Sequence, residues 1–342
     1  MSDFYNINSI INKKDLDGYP PEVFLIDGNR TGGKTTEMAR YLFSEWKKGN
    51  GEFIYIVRNI VDVKGASEYF FNFVENLYFP EDEISEDKII NGCYRWTLNG
   101  EQCGFCVALN AVVKLKKMRG LFFNVNHMFM DEYQDENGRY LTDETQKMQS
   151  LHTTVASGQG KQSRYVPLFM CSNTVSVLNP YYTRFGIAKR LKKDTKFLRG
   201  HGWILQLFLS ESAKNQAKDS RFNVAFGGRY LDYASENVYL NDNENLIEKP
   251  SGYTQYQCSV KYNGEWYSFR QSSGLCYACQ GADLSYPRSF SFSVSDMDGS
   301  RTAIGGDADL MRMYLRNYFV SGNMRFDSVQ SKNMALDFLG YL

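Results

Sequence analysis

The chain has 342 residues, 43% of them hydrophobic and 15% aromatic, and its 39 basic and 39 acidic side chains cancel. That length exceeds one ordinary domain, and the neutral balance excludes a bulk basic signature for nucleic acid, leaving only local patches for such contacts. No apolar run approaches the roughly 20 residues that span a bilayer, the polar start lacks the pattern of a signal peptide, and seven cysteines, an odd number, point to reduced thiols in a cytoplasm.

The first twenty residues read as an arm that ends at Pro20-Pro21. Val23 to Ile26 is a short continuous apolar run, the mark of a buried parallel strand, and it leads straight into a glycine-rich turn. Met38, Ala39, Leu42, Phe43 and Trp46 then fall at helical spacing until Gly49 and Gly51 stop the helix. Phe53 to Val57 is the next buried strand, completing a β-loop-α-β unit. Tyr94 to Leu98 and Cys103 to Leu109 flank Asn99-Gly100 as a hairpin. Met128 to Met130 and Val166 to Cys171 supply two more strands of the same sheet. From Phe185 to Arg199 the chain is strongly basic, and from Ser210 to Asn245 it is polar enough to read as a lid or linker. In the tail, Tyr256, Cys258, Val260 and Tyr262, with Tyr267 and Phe269 across the Asn263-Gly264 turn, fall on one side of a second hairpin. Leu275, Tyr277 and Cys279 offer a third strand, and Leu310, Met313, Tyr314 and Tyr318 a helix.

The turn after the first strand, Gly28-Asn29-Arg30-Thr31-Gly32-Gly33-Lys34-Thr35, fits the Walker A pattern in full, with Thr36 following. Such glycines let backbone N–H groups curl around phosphate oxygens while the next helix aims its positive end at them. Lys34 is expected to reach the β- and γ-phosphates of ATP, and the Thr35 hydroxyl to ligate Mg²⁺. Asp131-Glu132 closes an apolar strand as a Walker B pair does, with Asp131 on the Mg²⁺ and Glu132 polarising the attacking water. Asn173 closes the neighbouring strand, where it could sense the γ-phosphate or merely cap the strand. Arg164 is a candidate arginine finger acting in trans, with Arg30 and Arg58 as rivals in cis. Lys114, Lys116, Lys117 and Arg119 form one basic cluster suited to a DNA backbone. A second runs through Arg184, Lys189, Arg190, Lys192, Lys193, Lys196 and Arg199. The C-x-x-C pairs Cys103/Cys106 and Cys276/Cys279 lie within strands, so their thiols face opposite ways and do not read as zinc ligands.

With these motifs in place the chain resembles the DNA-encapsidation ATPases of phi-29-type short-tailed phages. Beyond the P-loop the likeness rests on Phe53 to Arg58, Phe129 to Tyr133, Cys171 to Tyr181, Val260 to Gly264 and Asn323 to Asp327, which occur in the family's order. The resemblance implies an α/β chain whose P-loop additional-strand ATPase domain, a mostly parallel sheet between helices, covers residues 1–205. A lid or linker over 206–245 and a small C-terminal α+β domain over 246–342, like an RNase H-like nuclease, follow. The first tail hairpin offers no inward acidic residue, which reads as a nuclease relic that binds without cutting. The resemblance further implies a homo-pentameric ring in the host cytoplasm, transiently at the portal vertex of the prohead, acting on double-stranded DNA. A structural packaging RNA is a partner in the best-known relatives. From the residues alone, another ring-forming DNA translocase or helicase, or a non-motor nucleotide switch, is the rival reading.

Overall fold

The computed structural model describes residues 4–157, 163–191, 195–226, 248–291, 302–303 and 306–340. The lid segment beyond 226, and Lys192 and Lys193 of the second basic cluster, lie outside the described residues. Two compact units divide the chain: Met1–Thr174 with Lys192–Val238, and Val175–Leu191 with Tyr239–Leu342.

The first unit is built on nine strands: β1 (Val23–Gly28), β2 (Glu52–Val57), β3 (Ile84–Ile90), β4 (Cys93–Leu98), β5 (Glu101–Ala108), β6 (Val125–Asp131), β7 (Leu168–Asn173), β8 (Phe197–Gly200) and β9 (Trp203–Phe208). Their order is β3-β4-β5-β2-β6-β7-β1-β9-β8. The six central strands run parallel, and antiparallel strands close both edges. Continuous apolar runs such as Phe24-Leu25-Ile26 form the middle because helices cover both faces of such a sheet. β7 lies between the strand that ends in the Walker A turn and the strand that ends in Asp131, pairing with both through Met170. It is the additional strand that the resemblance implies. Helix α1 (Lys34–Lys47) buries Met38, Ala39, Leu42 and Phe43 on the sheet. There Phe43 meets Phe53 edge to face at 5.1 Å, within a cluster that includes Phe70 and Trp96.

The N-terminal segment is no free arm. Tyr5, Ile7 and Ile10 are buried in the same core, and the Tyr5 N–H donates to the Gly32 carbonyl at 2.8 Å. Nor does the unit end at residue 205, because β9 continues to Phe208 beside β1.

The second unit holds β10 (Gln255–Tyr262), β11 (Glu265–Ser272), β12 (Leu275–Gln280), β13 (Ser289–Ser291), β14 (Thr302–Ala303) and β15 (Met324–Phe326). β10, β11 and β12 form an antiparallel meander, and β13 and β14 join parallel beside β10. This strand order agrees with what the resemblance implies for the tail domain, and β15 pairs parallel with β12 at the other edge. Cys258, Val260, Tyr262, Tyr267 and Phe269 face the core together. Tyr256 does not join them: a bulge between Tyr256 and Cys258 turns it toward the Tyr286 ring, 4.8 Å away. The helix Gly306–Val320 has the expected period but the other face inward. Ala308, Met311, Leu315 and Phe319 are buried, whereas Leu310 and Met313 are 67% and 60% exposed. Val175–Leu191, which the sequence places in the ATPase domain, belongs to this unit because Leu178 enters its core and the Arg316 guanidinium holds the Leu178 carbonyl.

Candidate active site

At the C-terminal ends of β1, β6 and β7 a cavity of about 840 Å³ opens over the Walker A turn. That is the size range of sites that hold a nucleotide-sized ligand. The turn can be this tight only with glycine. A Cβ on Gly28 would stand 2.3 Å from the Phe208 carbonyl oxygen of β9, and Gly33 has φ +83° with Phe4 packed 3.2 Å from where its Cβ would be. Gly33 also leaves α1 without a side-chain cap, so the first N–H groups of the helix remain for an anion.

Lys34 is buried beneath the turn, its Nζ donating to the Asn29 carbonyl at 2.8 Å and to Asn173 Oδ1 at 3.3 Å. Burial pulls its pKa down, and the carboxylates of Asp131, Asp27 and Glu132 oppose that. The Thr35 hydroxyl donates to Asp131 Oδ2 at 2.8 Å, so the two expected Mg²⁺ ligands already face each other. Burial, with the nearby Glu132 charge, pushes the Asp131 carboxyl up to about 6, against the Thr35 hydrogen bond and Lys34. An acid strained this way gains from a divalent cation, and the oxygen donor set suits Mg²⁺.

Glu132 is exposed on the cavity and has φ +50°, a left-handed conformation that costs a non-glycine residue about 1 kcal/mol or more. The residues that follow hold the kink in place. Tyr133 Oη donates to Asp27 Oδ2 at 2.7 Å, and Gln134 Nε2 to the same oxygen at 2.8 Å. The Arg58 guanidinium donates to the Tyr133 carbonyl at 2.8 Å and to both oxygens of the buried Glu144. Arg58 is thereby a clamp on the Walker B turn. Arg30 pairs with Glu136 at 3.3 Å on the cavity rim, while Thr31, Gly32 and Thr36 line the cavity.

The structure thus gathers Gly28, Asn29, Lys34, Thr35, Asp131, Glu132 and Asn173, but it does not bring Arg164 to them. Arg164 sits at the opposite end of β6, 91% buried, donating to the carbonyls of Phe122, Val125 and Val155 and to Asn126 Oδ1 at 2.9–3.3 Å. Burial pulls its pKa down. A finger needs an exposed guanidinium, and this one ties a strand start to the end of the helix Glu144–Ala156. Lys114, Lys116, Lys117 and Arg119 are all exposed, on the helical turns between β5 and β6. Of the second cluster, Lys189 is engaged by Asp337 and Tyr262 within the second unit. All seven cysteines are buried and unpaired, with burial raising their thiol pKa values.

Sequence reading missed Asp27, Tyr133, Arg58 as a clamp, and Asn29 as more than a loop residue. The Asn29 amide makes two 3.0 Å bonds with the backbone of Ser210: Nδ2 to its carbonyl, and Oδ1 from its N–H. Ser210 in turn caps the helix Glu211–Asp219. A polar residue just after the first Walker A glycine and a small one at a helix start were the signals, and only the β1–β9 pairing joins them.

Residues 1–341 match the family described as podovirus DNA encapsidation protein (Gp16). The DNA packaging protein of Bacillus phage phi29 is 24% identical over 342 residues, covering 98% of this chain and 96% of its own. Among solved structures, the bacteriophage phi-29 viral genome packaging motor assembly holds a chain similar over 98% of both chains, at 22% identity and a TM-score of 0.58. The N-terminal domain of the DNA packaging ATPase from bacteriophage phi29 is similar over 61% of this chain and 98% of its own, at 24% identity and a TM-score of 0.50.

Proposed function

Because the chain belongs to the podovirus DNA encapsidation protein (Gp16) family, we propose that it is an ATP-hydrolysing motor that drives double-stranded DNA into a prohead. The observation that carries this reading is the pair of contacts at one end of the sheet, Lys34 with Asn173 and Thr35 with Asp131, beside a Glu132 held in a left-handed turn. Thr35 and Asp131 would hold Mg²⁺, which when bound neutralises charge on the phosphate oxygens. Lys34 contributes a second positive charge, delivered to the β- and γ-phosphates from a buried position. Glu132 accepts a proton from the attacking water and fixes its line of approach. Asn173, bonded to Lys34, is placed to register whether the terminal phosphate is present. A nucleotide switch would not need a catalytic carboxylate fixed by Arg58, Tyr133 and Asp27, so the motor is the better reading.

The exposed cluster of Lys114, Lys116, Lys117 and Arg119 suits a duplex backbone gripped without base recognition. In this reading copies of the chain assemble as a homo-pentameric ring on the prohead portal in the host cytoplasm, with a packaging RNA as a further partner. In this reading the second unit serves binding, since the inner face of its first hairpin is apolar. The test is DNase protection of linear DNA by purified proheads with this chain and Mg·ATP. Protection that needs ATP and is lost with Lys34→Ala is expected. Strand separation on a forked substrate without any protection would overturn the reading in favour of a helicase.

A further inference from the structure

Glu132 is not the only kinked residue in this part of the chain. Asp143 has φ +55°, and between the two runs the loop that leads from the Walker B strand to the helix Glu144–Ala156. Left-handed backbone at a non-glycine residue persists only where its surroundings over-determine it. One guanidinium acts at both kinks. Arg58 follows β2, whose pairing with β6 sets Ile56 beside Met130 and so brings Arg58 level with the end of the Walker B strand. Its Nη2 donates at 2.8 Å to the carbonyl of Tyr133, the residue after the first kink. The residue after the second kink, Glu144, accepts Nε on Oε2 at 2.8 Å and Nη2 on Oε1 at 3.1 Å. The loop folds around this pair. The Leu141 N–H donates to Glu144 Oε2 at 2.9 Å, Asp135 Oδ2 stands 4.0 Å from Arg58 Nη1, and the Tyr140 ring lies against the guanidinium at 5.3 Å. The side chains of Arg58 and Glu144 are 12% and 0% exposed, and neither lines the nucleotide cavity.

We propose that Arg58 and Glu144 are positioning residues for hydrolysis, holding the loop between the two kinks so that the Glu132 carboxylate keeps its line to the attacking water. This rests on the reading of Glu132 as the water activator. A planar fork can meet a backbone carbonyl and a carboxylate at once, whereas a lysine brings a single nitrogen and cannot bridge the two kinks in the same way. Because the pair acts through the backbone and not on phosphate, its loss slows the chemical step and leaves nucleotide binding as it is. A shift of about 1 Å in a catalytic group costs up to about 10²-fold in rate, which sets the size of the effect.

The experiment measures single-turnover hydrolysis of Mg·ATP by the full chain, with ATP affinity from calorimetric titration. Arg58→Lys, Glu144→Gln and Tyr140→Leu are compared alone and combined with Glu132→Gln. Alone, Arg58→Lys and Glu144→Gln should each lose about 10- to 100-fold in rate per folded molecule, with ATP affinity kept within about twofold. Combined with Glu132→Gln they should lose no more than about twofold further, because the carboxylate they aim is already gone. The same loss in both backgrounds would mean that Arg58 acts on the phosphates directly, as a finger in cis, and would overturn the proposal. Affinity lost in step with rate would make the pair a support of the whole site and overturn it as well. If neither variant folds, Tyr140→Leu decides, since it takes away the ring against the guanidinium and leaves Arg58 and Glu144 in place. A rate loss of about 3- to 10-fold that vanishes in the Glu132→Gln background supports the proposal, and an unchanged rate refutes it. Glu132→Gln hydrolysing as fast as wild type would instead bring down the reading of Glu132, and this proposal with it.

Discussion

Replacing Arg164 by alanine separates two roles that the sequence leaves open. Its guanidinium makes four hydrogen bonds, all to neutral oxygens, three of them backbone carbonyls at 2.9, 3.1 and 3.3 Å. Each bond from a charged donor contributes about 1.5–3 kcal/mol, and burying the charge with only neutral partners costs several kcal/mol. Alanine forfeits the first and recovers the second, for a net loss of about 2–4 kcal/mol. Trp46, Trp96 and Trp203 belong to the first unit and Trp266 to the second, so a Trp266→Phe background lets fluorescence follow the first unit alone. In urea the midpoint should fall by about 1 M with the slope unchanged. Turnover per folded molecule should fall far less than the roughly 10³-fold expected when a finger is removed. Mixing Arg164→Ala with Glu132→Gln should restore nothing beyond the sum of the two. A variant as stable as wild type, catalytically dead, and revived by mixing with Glu132→Gln would refute this reasoning and reinstate Arg164 as the finger.

Lys34→Ala should weaken ATP binding and turnover together, whereas Glu132→Gln should keep ATP bound and lose about 10²- to 10⁴-fold in turnover; equal loss of binding in both would remove Glu132 as the water activator. Asn29→Ala should free Ser210 and speed amide exchange across the helix Glu211–Asp219 by a factor that reflects about 1–3 kcal/mol. Unchanged exchange there would mean that the two 3.0 Å bonds carry no weight. Supercoiled plasmid incubated with the full chain and Mg²⁺ or Mn²⁺ should stay intact on a gel, and nicking that follows the protein through a further purification step would make the second unit a working nuclease.

The elements that announced themselves in the sequence are those whose local chemistry admits one solution. A buried apolar run, a glycine turn and an amphipathic helix can only be β1, the phosphate cradle and α1, and Asn99-Gly100 fixes the hairpin of β4 and β5 at φ +53° and +82°. Edge strands were harder. β3 reads Ile-Ser-Glu-Asp-Lys-Ile-Ile and β8 lies in a basic run, because an edge protects itself with charge at the expense of the strand pattern. In β9, Gln206 interrupts an apolar run yet is buried, its Oε1 accepting from Tyr5 and Ser9, residues 201 and 197 positions away. Glu144 reads as a surface acid but is buried by its ion pair with Arg58, 86 positions away. Every missed site residue was of this kind, a polar side chain whose partner is remote in the chain. On the helix Gly306–Val320 both faces carry apolar residues, and only the sheet it covers decides between Leu310 and Met311.

The second unit takes its first piece, Val175–Leu191, from the middle of the chain. Lys189 bonds Asp337, 148 positions later, and Leu178 meets Arg316 after 138. At about 5–20 residues per second on a ribosome, that early piece emerges roughly 7–30 s before its partners exist. Leu178, whose final place is fully buried, spends this interval in water. The nine-stranded sheet is complete once residue 208 has left the exit tunnel, so it can close first, while its neighbour must await strands and helices as late as Val329–Gly340. Synthesis thus sets an order of maturation, with the nucleotide site complete before the unit that the same transcript finishes last.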